Sequence, residues 1–221
     1  MVCNHRRYEV VHVQSLLAML QDAARQSLGP EVRIDPAHLT CLLVVIMLLT
    51  GSDYSRGMPR IGPRKLWDAL HVVIPALLMS SDFEPETGKF ALNVERTVDV
   101  FFAEIYREEF AKHVGAADGY DALLAQLQAS KLSDKVRESL PTRARLETTV
   151  RNLNWVMAYW HCRNSCPPAP LDGSCGFVPS ERGAGVVFAD LGGASACRFG
   201  RGVILQGVYC LAVFIVRWYA L

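Results

Sequence analysis

The chain of 221 residues lacks most of the signatures that assign a protein to a class at sight. It has no large charge of either sign: 23 Lys and Arg against 22 Asp and Glu leave a formal net charge of +1, so any polyanion-binding surface has to be local. No Gly-rich nucleotide loop, Ser–His–Asp pattern or zincin helix is present, and no internal repeat is visible. Nothing before residue 160 alternates like a strand. The apolar run Cys41 to Leu49 is nine residues, far short of the ~20 that a membrane helix needs. The seven cysteines are odd in number and scattered, with Cys41 inside that apolar run, so a disulfide framework is not expected. A reducing compartment, nucleus or cytosol, fits this usage better. Met1 to Tyr8 is polar and basic with no apolar stretch behind it, so no signal peptide is expected.

What remains is an apolar chain, 51% hydrophobic and 20% charged, able to bury a real core. Val13, Leu16, Leu17, Leu20 and Ala24 recur at helical spacing and predict a helix over about 10–27, ended by Gly29-Pro30. Asp35-Pro36 is a helix start, an N-cap acceptor followed by proline at the first helical position, and Gly51 is the stop. A further helix is expected from Pro63 through Val73, interrupted at Pro75, with the stretch to Met79 either its continuation or a new short helix, and a loop over residues 80–88. Helices are also expected around Val94, Val98, Phe101, Phe102 and Ile105, around Leu123, Leu124 and Leu127, and over about 142–160. The reading is a mainly α fold, a helical bundle over residues 1–160. It is followed by a Pro/Gly-rich and apolar tail, 161–221, that is irregular and of uncertain fold. Val203 to Val216 is apolar, broken by Gln206 and Gly207; a buried segment, a weak anchor and an extension without settled fold all fit it.

The most informative stretch is Gly51-Ser52-Asp53-Tyr54 followed by Met58-Pro59-Arg60-Ile61-Gly62-Pro63-Arg64-Lys65. An apolar helix ends next to an acid suited to a hard divalent ion. A turn punctuated by glycine and proline then opens a second helix. Between Ser55 and Lys65 stand Arg56, Arg60, Arg64 and Lys65 with no acid. Gly57 and Gly62 let the backbone approach a ligand closely, and helix-opening amides after Ile61 suit phosphate. No group is aimed at a base edge, so contact with the phosphodiester backbone without sequence preference is expected.

These residues resemble the flap endonuclease/XPG family of structure-specific 5′ nucleases, in which Gly-x-Asp-Tyr, a short loop and Gly-Ile-Gly-Pro form a helix–two-turn–helix. The likeness covers about residues 39–70, with the element itself at about 36–75. It implies that Asp53 is a catalytic carboxylate and a ligand to one of two Mg²⁺ ions, and that Arg60, Gly62, Arg64 and Lys65 contact DNA. It implies that the Met58 and Ile61 carbonyls hold a K⁺ ion. Arg60 stands where the family often has glycine, and Gly57 where a serine can help hold the K⁺, which weakens the cation assignment. The implied partner is flapped, nicked or branched duplex DNA. The family's other carboxylates lie upstream on a parallel sheet, whereas the first acids here are Glu9, Asp22, Glu31 and Asp35, none in an apolar strand. The expectation is therefore an incomplete nuclease, inactive in isolation, for which a separate N-terminal nuclease half is a candidate partner.

The lesser signals each carry two readings. His161, Cys162, Cys166 and Cys175 contain metal-ligating types, but the Cys-x3-Cys spacing is loose for zinc. Trp155, Tyr159 and Trp160 either stack on bases or pack in the core, and their helical spacing favours packing. The competing reading of the whole chain is a non-catalytic helical module that binds protein or membrane through its tail, although a membrane partner is not the expectation.

Overall fold

The computed structural model describes residues 13–51 and 57–161, with side-chain environments to 158, and three short strands beyond. The described part is mainly helical, as the apolar periodicity requires. Helix α1 is Val13–Leu28 and α2 is Pro36–Leu49. Asp35 caps α2 by accepting from the Ala37 and His38 amides at 2.7 and 3.4 Å. Its mate across the intervening loop is Gln21 of α1, which accepts from the Ile34 amide (3.0 Å) and donates to the Val32 carbonyl (2.8 Å). Eight of the residues of α2 are buried, on every side of the helix, which makes it the central strut of the core.

Helix α3, Pro63–Asp68, is separated by Ala69 alone from α4, Leu70–Ser80. Of the two readings of the stretch after Pro75 the continuation is found: the break falls at Ala69 instead, and Pro75 lies inside α4. A proline there leaves the carbonyl four residues earlier, that of His71, without its helical donor. The Ser27 hydroxyl from the end of α1 donates to that carbonyl at 2.6 Å, so a neighbouring helix satisfies the gap.

The loop expected at 80–88 is instead a hairpin, which also corrects the all-helical reading of the region before 160. Strand β1, Ser81–Glu84, pairs antiparallel with β2, Lys89–Leu92, with Phe83 opposite Phe90. His38 of α2 stacks on Phe83 (4.7 Å between centroids) and bonds the Ser81 hydroxyl at 3.0 Å. Asn154 pairs with both the amide and the carbonyl of Leu92, at 2.7 and 2.8 Å, and so closes the outer edge of β2.

The next helix is continuous but not uniform: α5, Val94–Arg96, passes through a π-helical turn, Thr97–Phe102, into α6, Ala103–Glu109. Apart from Ala103, its buried residues come as doublets four apart: Thr97 and Val98, Phe101 and Phe102, Ile105 and Tyr106. On an α-helix a four-residue step overshoots a full turn by about 40°. A wider π turn absorbs that drift and keeps the doublets facing the core. Helices α7, Gly119–Ala129, α8, Asp134–Ser139, and α9, Arg143–His161, complete the described bundle. Arg143 clamps this end, bonding both Asp99 oxygens at 2.7 Å and reaching Asp121 at 3.0 Å. That guanidinium, burial opposing it, holds the Asp99 carboxyl below the usual range. Beyond α9, β3 (Phe177–Pro179), β4 (Val186–Phe188) and β5 (Arg198–Phe199) form a small antiparallel sheet in that order. Among the described residues no helix is long and apolar enough to cross a membrane.

Candidate nucleic-acid interface

The stretch between α2 and α3 folds back on itself. Helix α2 ends at Thr50, whose amide bonds the Ile46 and Met47 carbonyls, and Gly51 takes φ +101°. Gly57, at φ +77°, returns against that helix end, and the Met58 amide bonds the Leu49 carbonyl at 3.0 Å. A Cβ on Gly57 would stand 2.9 Å from the Gly51 nitrogen and 3.0 Å from the Leu49 oxygen, both backbone atoms. The glycine is therefore required by space as well as by conformation.

Met58, Pro59, Arg60 and Ile61 then form a tight turn, with the Ile61 amide donating to the Met58 carbonyl at 3.3 Å. Proline at the second position and a positive φ at the third are the marks of a type II turn, which wants glycine or asparagine at the third. Arg60 occupies that position at φ +65°, the one left-handed non-glycine among the described residues. Met58 and Ile61 are buried and anchor the turn; Arg60, Gly62, Arg64 and Lys65 are exposed. A Cβ on Gly62 would meet nothing within 4 Å, so the outer face there is open.

Two residues of α6 hold this turn from behind. The Tyr106 hydroxyl donates to the Pro59 carbonyl at 2.8 Å. Its ring is fully buried against Tyr120, edge to face at 5.8 Å. Burial pushes the Tyr106 hydroxyl well above its ordinary pKa; Tyr120 adds to that rise, Arg145 and Arg60 oppose it, and Glu109 adds a little. Glu109, one turn on, pairs with the Lys65 ammonium. Arg64 projects from the surface with its side chain 94% exposed, and its 3.6 Å approach to Asp68 is an exposed i,i+4 pair of little energetic weight.

The chain matches no family model, no curated protein and no solved structure. What the geometry offers is therefore read from the residues alone. Of the residues expected at the site, the structure brings Met58, Arg60, Ile61, Gly62, Arg64 and Lys65 into one exposed, back-braced turn. Asp53 and Tyr54 lie outside the described residues, as do Cys162, Cys166 and Cys175; of His161 only the backbone is described. Trp155 is half-buried against the core, while the side chains of Tyr159 and Trp160 lie outside what is described.

Three differences from expectation matter. Helix α3 stops after six residues, so its dipole is short and any phosphate contact falls on the cations. Lys65 is tied to an acid that the local sequence did not reveal, because Glu109 is 44 residues away. The Met58 carbonyl already accepts the Ile61 amide, so one of its two lone pairs is committed before any K⁺ ion arrives. For a divalent ion, no group of three or more His, Cys, Asp or Glu stands together among the described residues. The acids paired with this turn, Asp68 and Glu109, face Arg64 and Lys65. Among the described residues, these acids do not by themselves make up a two-ion hydrolytic centre.

Proposed function

We propose that this chain grips the phosphodiester backbone of nicked, flapped or branched duplex DNA through the turn at 57–65. It would do so as the DNA-binding part of a flap endonuclease/XPG-like nuclease built on a helix–two-turn–helix. The observation that carries the reading is Arg60. A long cationic side chain sits at an exposed turn position whose backbone favours glycine, at a cost of roughly 1–2 kcal/mol. Strain of that kind persists where the displaced group is used. Arg60, Arg64 and Lys65 give three cations within six residues of an open backbone around Gly62. Such a face binds phosphate and reads no base.

Asp53 is the proposed single Mg²⁺ ligand, and the Met58 and Ile61 carbonyls are the proposed K⁺ ligands. Because the chain's first acids, Glu9, Asp22, Glu31 and Asp35, lie in no apolar strand such as carries the family's other carboxylates, cleavage is assigned to an assembly with a separate nuclease half. The grip is this chain's own contribution. The proposed compartment is the nucleus or cytosol, which the scattered, odd number of cysteines supports.

The deciding experiment is a salt titration of binding to nicked, flapped and intact duplex. Binding should weaken steeply with salt, with a log–log slope reduced by about 1 for each phosphate contact removed. The double reversal Arg64→Glu with Lys65→Glu should abolish it. Binding that ignores salt, or that survives the double reversal, refutes the proposal.

A further inference from the structure

We infer that Tyr106 is a positioning residue for Arg60, holding the turn in the one conformation that presents the guanidinium outward. The inference rests on the DNA-binding reading above and names a residue 47 positions from the turn that touches no ligand itself. Four observations converge on it. The turn is closed by one backbone bond, Ile61 to Met58, and at 3.3 Å that bond is long. The turn carries an arginine in a left-handed conformation that relaxes readily unless its surroundings over-determine it. The Pro59 carbonyl, midway through the turn, receives the Tyr106 hydroxyl at 2.8 Å, a stronger contact than the turn's own. And the Tyr106 ring is locked, with no exposed surface, between Tyr120 and the core, so the hydroxyl has one place to point.

The peptide between Pro59 and Arg60 includes that carbonyl. Rotating the peptide is how a type II turn converts to type I, with residue 60 moving to negative φ. A hydrogen bond that fixes the carbonyl forbids the rotation. Tyr106 thus selects the turn type, and the turn type decides where Arg60 points. The π turn at 97–102 belongs to the same arrangement, because it sets the rotation of α6 that aims residue 106 at the loop.

The test compares the full chain with Tyr106→Phe, Arg60→Gly and the double variant, by fluorescence anisotropy on nicked duplex across a salt series. Tyr106→Phe should weaken binding about fivefold, the factor that one net hydrogen bond corresponds to. It should also flatten the salt slope by up to about 1, as release of one phosphate does. In the Arg60→Gly background the same substitution should change neither. A tyrosine that only stabilised the fold would lower the melting temperature while leaving the slope untouched, and that result overturns the inference. Equal losses with and without Arg60 overturn it too. If the wild-type chain binds no DNA, both this inference and the reading beneath it fall; if it binds and Tyr106→Phe binds equally well, only the inference falls. Should the variant not fold, hydrogen exchange in the wild-type chain decides. The Ile61 amide should exchange as slowly as the amides of α6, and exchange at open-loop rates refutes a held turn.

Discussion

Replacing Arg60 by glycine should make the protein more stable and a worse DNA binder, and the opposite signs are what make the experiment informative. At φ +65° an L-residue places its Cβ against the following carbonyl, which costs roughly 1–2 kcal/mol. Glycine escapes that cost but has a freer unfolded chain, which takes back roughly 0.4–1 kcal/mol. The difference is a net gain of between about 0 and 1.6 kcal/mol, centred near 0.8. For a chain of this length the central value corresponds to a rise of about 1–4 °C in melting temperature, readable by calorimetry. Binding should move the other way: anisotropy on nicked duplex should show weaker affinity and a salt slope shallower by about 1, the change that releasing a single phosphate produces. If Arg60→Gly melts lower than wild type, the turn is not strained as described. If it melts higher and binds DNA with unchanged slope, the strain serves something other than phosphate. Arg60→Lys separates charge from backbone, since it keeps the strain and the cation and should leave the melting temperature within about 1 °C of wild type.

The remaining predictions concern the supports of the turn and the hairpin. Gly57→Ala should destabilise by at least about 2 kcal/mol, because the new methyl meets the Gly51 and Leu49 backbone and the conformation is left-handed; a thermal melt within error of wild type would refute that packing. Glu109→Gln should release Lys65 and tighten DNA binding by up to about fivefold at low salt, the range of an ion pair near the surface; weaker binding would show that Glu109 orients Lys65 for its ligand instead of competing for it. His38 is held below its ordinary pKa by burial, with Asp35 opposing. The unfolded chain therefore takes up the proton first as pH falls. The contribution of neutral His38 should be complete above its unfolded value of about 6.5 and be lost as pH drops towards the lower folded value. Denaturant midpoints measured on either side of that window should diverge in wild type and run parallel in His38→Phe; a midpoint that rises on acidification would reverse the sign. Ser27→Ala should cost up to about 1 kcal/mol by leaving to water the exposed His71 carbonyl that Pro75 leaves open, and the loss should shrink when Pro75→Ala restores the helical donor.

Much of the helical scaffold is legible in the sequence because its signals are local. Asp35-Pro36 starts α2 where the N-cap chemistry says, and Leu146, Val150, Leu153 and Met157 mark α9 by spacing alone. The hairpin is not legible, because its four-residue strands carry too little alternation; what fixes them is Phe83 under His38 and Asn154 on Leu92, contacts made only after folding. Helix α8 leaves no trace either, since none of its residues is buried and no apolar period forms. At the site the sequence supplies the cations and the glycines, but not their restraint. Tyr106 and Glu109 reach the turn from more than forty positions away, and no local rule connects a tyrosine in one helix to the third residue of a turn in another loop. The strain at Arg60 is not visible: the proline before it marks a turn but suits type I and type II alike, and the left-handed backbone emerges only in three dimensions.

The doublets at 97–98, 101–102 and 105–106 make the length of that helix a kind of ruler. Inserting one more residue between 97 and 102, where the wider turn already takes up the slack, would swing everything downstream by about 100° about the axis. Hydroxyl and carboxylate would then leave the loop together, though neither had been mutated. Substitutions across this segment should be graded in effect by how well they fill the core, whereas a single insertion should disarm the distant cationic face at once.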